Sequence, residues 1–142
     1  MPATAGTALK RMHNAAERYL VIIPAFNEEE TIAGVIADVR KIAPNADVLI
    51  INDGSTDLTS PSARVMDAMV IDLPFNLGYG AALQTGFRFA VKYGYDYVAT
   101  VDADGQHLPS YIPILVAVMQ NESADIVIGS RFIEKGYRVG IF

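Results

Sequence analysis

From Tyr19 onward the chain alternates short apolar runs with stretches of helical periodicity. Tyr19-Leu20-Val21-Ile22-Ile23 is a continuous, β-branched-rich run. That is the pattern of a strand buried on both faces, because a half-exposed strand would alternate apolar with polar. Ile32, Val35, Ile36, Val39 and Ala43 recur at the i, i+3, i+4, i+7 spacing that lines one face of a helix. Asn27 stands where a helix cap belongs, and Glu28, Glu29 and Glu30 would fill the first turn, where negative charge meets the positive end of the helix dipole. Pro44 ends that helix.

The alternation continues. Strands are predicted over 48–51, 69–73, 97–101 and 126–128. A short helix runs through Ala68, with Ser60 as its cap ahead of Pro61. Another covers 79–93 and ends at Gly94, and a third covers 111–120 with Pro113 in its first turn. Strands alternating with helices imply right-handed crossovers and an α/β fold, a mainly parallel sheet with helices on both faces. One such Rossmann-like domain spans 19–142, and residues 1–18, small, polar and weakly patterned, read as a leader with at most a short helical turn.

Composition narrows the partners. Hydrophobic residues make up 51% and charged residues 19%, so the chain can bury a core rather than remain disordered. The net charge is -5 with no Lys/Arg cluster, which argues against a nucleic-acid surface, since backbone phosphates need a basic footprint. There are 0 cysteines, which excludes disulfides and thiolate metal sites in this chain. No apolar run approaches the ~18 residues of a membrane-spanning helix. Lys10, Arg11 and Arg18 are followed by no apolar block of the kind a signal peptide needs. The expected location is the cytoplasm, with any membrane contact peripheral.

The position of the polar residues is more informative. Polar clusters follow each predicted strand: Pro24-Ala25-Phe26-Asn27-Glu28, Asn52-Asp53-Gly54-Ser55-Thr56-Asp57, Asn76-Leu77-Gly78-Tyr79-Gly80, Asp102-Ala103-Asp104-Gly105-Gln106-His107 and Gly129-Ser130-Arg131. In a parallel sheet all strand-to-helix turns share one edge, so all five converge on the rim where open α/β sheets bind ligands.

Asp102 and Asp104, two apart in extended backbone, would point the same way and share one cation, with Gln106 adding a carbonyl oxygen. Such hard oxygen ligands suit Mg²⁺ or Mn²⁺. An isolated Asp-X-Asp is more often an Asx-turn; the preceding strand and the shared rim favour the metal. Asp53 has two open readings, a turn residue or an acceptor for a nucleobase edge or ribose. Gly78 and Gly80 likewise fit either a backbone approach to a phosphate or a plain close-packed helix start. Leu83 stands where a dinucleotide fingerprint would need its third glycine. Arg131 suits a diphosphate leaving group or an ordinary surface ion pair. His107 is a site or loop histidine, His13 a solvated leader residue, and Phe87, Phe89 and Tyr97 are assigned to packing.

Taken in order, these five motifs, from Pro24-Ala25-Phe26-Asn27-Glu28-Glu29 to Gly129-Ser130-Arg131-Phe132, resemble the motif series of family 2 glycosyltransferases, closest in flavour to the polyprenyl-phosphate type. The resemblance covers about 19–132. It implies a GT-A fold, a UDP- or GDP-linked sugar donor and an inverting displacement at the anomeric carbon. Pro24, Ala25, Asn27, Glu28, Asp53, Gly78, Gly80 and Ala103 would contribute to the nucleotide-sugar site. Asp102, Asp104 and Gln106 would hold the metal on the diphosphate, with Asp104 and Arg131 as the catalytic pair. A lipid-phosphate acceptor, already ionised near neutral pH, would need little help from a base, and no obvious base is present.

Tyr79 and Leu108 depart from the family pattern, which often has Lys and Asp there. The chain stops at Phe142, soon after the Gly-Ser-Arg motif, whereas family members continue into acceptor-side segments. The expectation is therefore an incomplete acceptor side whose exposed apolar surface favours a homo-oligomer. The competing reading is a silent nucleotide-sugar-binding module that needs a missing part or partner chain. A sugar-phosphate nucleotidyltransferase would carry a basic, Gly-rich loop where Pro24-Ala25-Phe26-Asn27 stands, and a receiver or phosphatase domain would carry Asp at Pro24.

Overall fold

The computed structural model describes residues 17–105, 109–129 and 140–141. In chain order the elements are β1 (Tyr19–Ala25), α1 (Ile32–Ile42), β2 (Ala46–Asn52), α2 (Thr59–Val65), β3 (Met69–Asp72), α3 (Tyr79–Tyr93), β4 (Tyr97–Thr100), a 3₁₀ turn (Pro109–Tyr111), α4 (Ile112–Glu122), β5 (Val127–Ile128) and β6 (Gly140–Ile141). The first four strands form a parallel sheet in the order β3-β2-β1-β4. The chain therefore builds outward from β1 to β3 and then crosses to the other side of β1.

The apolar strand runs are explained by cover on both faces. Val21, Ile23 and Ala25 of β1, with Val48 and Ile50 of β2, pack against Ile32, Val35, Ile36 and Val39 of α1 and Ala63 of α2. Leu20, Ile22, Leu49 and Ile51 point the other way, toward Ala82 and Ala90 of α3. Each such aliphatic side chain, nearly all of it removed from water, contributes roughly 1.5–3 kcal/mol. The buried stripe of α3 is small throughout, Ala82, Gly86 and Ala90, so this helix lies close to the sheet. It ends as the sequence predicts: Gly94 turns left-handed at φ 68, and the Tyr95 N–H reaches back to the Ala90 carbonyl.

Several expectations need correction. Asn27 does not cap α1, which begins at Ile32 after a turn closed by the Thr31 and Ile32 N–H groups on the Glu28 carbonyl. No acidic residue lies in the first turn of that helix. Ser60 lies inside α2, and the Asp57 carboxylate instead takes the Thr59 N–H at 2.9 Å. Phe87 is 44% exposed rather than packed. Phe89 does pack, against Tyr93 and Tyr95, and Tyr97 stacks on Tyr19 with ring centroids 5.1 Å apart.

The largest correction concerns the fifth strand. β5 is not part of the parallel sheet; it pairs antiparallel with β6 in a separate ribbon. Ile112 is the one buried residue of α4, so that helix does not lay a full face beside β4 as a parallel crossover would. At the end of the predicted leader, the Arg18 N–H donates to Asp96 at 2.8 Å and its guanidinium lies 4.2 Å from the Tyr95 ring centroid. The remainder of the predicted leader lies outside the described residues.

Candidate functional site

The strand order reverses between β1 and β4, and β1 carries a proline there. A residue in a strand offers its N–H and C=O to the same neighbour. The Ile22 carbonyl faces β4, where it accepts the Val101 N–H at 3.0 Å. The Ala25 carbonyl faces β2 and accepts the Asp53 N–H at 2.8 Å. Pro24, in phase with Ile22, thus faces β4 with no N–H to extend the ladder. Pairing between β1 and β4 stops there, and a cleft opens at the carboxyl edge, at the switch point where such sheets hold ligands.

That cleft encloses about 400 Å³, within the range of small-ligand sites. Pro24, Ala25, Phe26 and Glu28 line it from the end of β1, and Asp53 from β2. Asn76, Gly78, Tyr79 and Ala82 line it from the β3–α3 segment, and Asp102, Ala103 and Asp104 from the end of β4. Sequence reasoning brings Pro24, Ala25, Glu28, Asp53, Gly78, Asp102, Ala103 and Asp104 to the site, and the structure brings them to one cleft. Asn27 and Gly80 are not on its lining. Gln106, His107, Ser130 and Arg131 lie outside the described residues.

Asp53 is 4% exposed, and both of its carboxylate oxygens are engaged. Oδ1 accepts the Leu77 N–H at 2.8 Å and Oδ2 the Gly78 N–H at 2.9 Å. The residue is therefore the tie between the β2–α2 and β3–α3 loops, with its remaining lone pairs beside the cleft. A charged acceptor on two backbone donors is a strong form of this interaction.

The loops after β1 and β2 are stitched together as well. Asn27, in the left-handed region at φ 54, donates its N–H to Ser55 Oγ at 2.9 Å, and its Oδ1 accepts the Thr56 N–H at 2.9 Å. The Glu28 N–H donates to Thr59 Oγ1 at 2.8 Å, and the Glu29 carboxylate accepts the Leu58 N–H at 2.9 Å. Asn27 thus serves the frame of the site rather than its lining.

The backbone turns at Ala103 and Asp104 rather than running on extended, and Asp102 and Asp104 both line the same cleft. Two contacts hold this turn that sequence reasoning does not find. The Thr31 hydroxyl donates to the Ala103 carbonyl at 2.7 Å, and the Glu28 carboxylate, 2.9 Å away, competes for the same proton. The Tyr79 hydroxyl donates to Asp102 Oδ1 at 3.1 Å. Partial burial, then the adjacent Asp102 charge and the hydrogen bond to it, push the Tyr79 phenol above its ordinary pKa.

Among the described residues no group of three or more His, Cys, Asp or Glu gathers to cage a cation. The donor set is two carboxylates on an open cleft, which fits an ion such as Mg²⁺ or Mn²⁺ that takes its other ligands from water and substrate phosphates. No helix among the described residues is long and apolar enough to cross a membrane.

Comparison with known proteins agrees with this geometry. The family model described as Glycosyl transferase family 2 matches residues 20–140. The undecaprenyl-phosphate mannosyltransferase of Micrococcus luteus is 36% identical over 132 residues, covering 86% of this chain and 51% of that protein. The UDP-N-acetylglucosamine–dolichyl-phosphate N-acetylglucosaminyltransferase of Methanococcus voltae is 33% identical over 129 residues, covering 78% of this chain and 51% of that protein. This chain spans about half the length of these curated relatives. Among solved structures, glucosyl-3-phosphoglycerate synthase from Mycobacterium tuberculosis with Mn²⁺, uridine diphosphate and glucosyl-3-phosphoglycerate superposes with a TM-score of 0.61 at 28% identity, covering 73% of this chain and 40% of that one.

Proposed function

The chain belongs to glycosyl transferase family 2, and from that premise we propose that it binds a UDP- or GDP-linked sugar in the β1/β4 cleft and serves its transfer, with inversion, to a polyprenyl phosphate. The observation that carries this reading is that Asp53, Asp102 and Asp104 line one cleft at the switch point of the sheet.

Each residue has a role set by its place. Pro24, Ala25 and Glu28 shape the nucleoside wall, and Asp53 offers its remaining lone pairs to the base or ribose while it holds the β3–α3 loop. Asn27 contributes by fixing the β2–α2 loop. Gly78 brings bare backbone to the cleft at the entrance to α3, and Gly80 adds no side chain to the first turn of that helix. Asp102 and Asp104 bind Mg²⁺ or Mn²⁺, with Gln106 as a further oxygen donor and Arg131 beside the departing diphosphate. The bound cation supplies Lewis-acid stabilisation of the nucleotide diphosphate as it leaves. An ionised acceptor phosphate attacks the anomeric carbon from the opposite face, so no side chain need take a proton.

The relatives support the acceptor class more than the sugar. Mannose and N-acetylglucosamine differ between the two named proteins, whereas undecaprenyl and dolichyl phosphates are one chemical class. The structural neighbour holds Mn²⁺ and uridine diphosphate, which supports the metal and a uridine donor. A lipid acceptor places the chain at the cytoplasmic face of a membrane as a peripheral protein.

Calorimetric titration with UDP- and GDP-sugars, with and without Mn²⁺, tests the reading. Metal-dependent binding of one nucleotide is expected. Absence of binding by either nucleotide under both conditions would overturn the donor site in this chain and favour a silent module that depends on further sequence or a partner chain.

A further inference from the structure

Tyr79 opens α3 beside the cleft, and its phenol donates a hydrogen bond to Asp102 Oδ1 at 3.1 Å. Its position is set by its neighbour: Gly78, at φ 94, turns the chain into the helix, and the Gly78 N–H is anchored on Asp53 Oδ2. Asp53, Gly78, Tyr79 and Asp102 therefore form a continuous connection from the end of β2 to the end of β4, passing over β1.

We propose that Tyr79 is a positioning residue of the donor site, its hydroxyl holding the Asp102 carboxylate in the orientation that receives the divalent cation. This rests on the donor-site reading above and adds to it a residue at which the sequence departs from the family pattern.

The physical argument concerns freedom and geometry. An aspartate carboxylate turns easily about its last torsion, whose rotamer distribution is broad. A donor fixed on Oδ1 restricts that rotation. Hydrogen bonds of this kind to metal ligands are worth about 10–100-fold in metal affinity. A phenol carries its proton throughout the neutral range, so the donor is constant there. The side chain of Tyr79 contributes little to the fold, since the residue is 55% exposed.

The test is Tyr79→Phe, which removes one oxygen and keeps the ring. Mn²⁺ binding is read by electron paramagnetic resonance, titrating MnCl₂ against the protein with UDP present and, separately, with GDP. Nucleotide binding without metal is read by calorimetry, and the fold by thermal melting. The expected result is a Mn²⁺ affinity lower by about tenfold, at the lower end of the range for such contacts, with metal-free nucleotide binding and melting temperature unchanged. Wild-type Mn²⁺ affinity in the variant overturns the proposal. So does an equal loss of metal-free nucleotide binding, because the phenol oxygen would then serve the nucleotide or the fold. Failure of the wild-type chain to bind Mn²⁺ with either nucleotide overturns the donor site itself, and the role of Tyr79 with it.

Discussion

Gly54 lies directly against the backbone of Phe75. A Cβ added at Gly54 would stand 2.4 Å from the Phe75 carbonyl carbon and 2.5 Å from the Asn76 nitrogen. Main-chain atoms cannot swing aside as a side-chain end can, and Gly54 also sits at φ 72, where a side chain is strained. The contact joins the same two loops that Asp53 joins through Leu77 and Gly78. The position of Gly78 and Tyr79 at the cleft thus depends on the side chain missing after the neighbouring strand, β2.

Gly54→Ala is expected to lower stability by about 1–3 kcal/mol, the usual cost of overpacking or of a strained backbone. It is also expected to weaken nucleotide binding by displacing the β3–α3 loop. Urea denaturation and calorimetry with UDP and GDP measure the two effects. A variant with the wild-type midpoint and affinity would mean that the loops separate without cost.

Much of this architecture is legible in the residues, and the gaps have identifiable causes. The β1 run from Leu20 to Ile23 and the α1 stripe from Ile32 to Val39 each carry their own period, so their burial follows from pattern alone. Gly94 marks the end of α3 because its conformation requires glycine. The Val127–Ile128 strand was not legible in the same way, since two residues specify neither a partner nor a direction. Asn27 resembles a cap in sequence, but it takes a left-handed conformation and its side chain serves Thr56 across the neighbouring loop. In the site, Asp53, Asp102 and Asp104 stand out because carboxylates after strands are chemically conspicuous. The Thr31 bond to Ala103 joins residues 72 positions apart and leaves no local trace.

The close seating of α3 makes a second test. A Cβ at Gly86 would lie 2.7 Å from Ile22 Cγ2 and 2.8 Å from Cδ1. Alanine normally gains roughly 0.5–1 kcal/mol over glycine inside a helix. Here the clash with a fully buried side chain should exceed that gain, giving Gly86→Ala a net loss of about 1–2 kcal/mol. Ile22→Val, which alone costs about 0.5–1.5 kcal/mol, removes Cδ1 but keeps Cγ2. The double variant should therefore recover part of the loss. Strict additivity in denaturant melts would show that the helix shifts instead of clashing.

Asp104 is exposed at the cleft and contributes little to the core. Asp104→Ala is expected to abolish Mn²⁺-dependent binding of the nucleotide while the melting temperature stays near that of the wild type. Calorimetry in the presence of Mn²⁺ decides the matter. Unchanged affinity would remove Asp104 from the metal site and leave the Asp-X-Asp turn as a structural feature.

The frame of the site should also leave a signature in the acid limb of stability. Burial raises the Asp57 carboxyl, but the hydrogen bonds from the Thr59 hydroxyl and N–H and from the Glu29 N–H outweigh it, and the folded pKa falls below the ordinary value. A folded pKa below the unfolded one means that the unfolded chain binds the proton first on acidification. The stabilisation is therefore complete above the unfolded carboxylate pKa, about 3.9, and disappears as pH falls through the lower folded value. Asp72 shifts in the same direction: its bonds from Asn52, Ser60 and Arg64 prevail over desolvation, the largest single influence. Asp57→Asn should melt below the wild type at about pH 6 and lose less on acidification to about pH 3, so that the two curves converge. Parallel curves across that range would show that the charge on Asp57 is not what joins the β1–α1 loop to the start of α2.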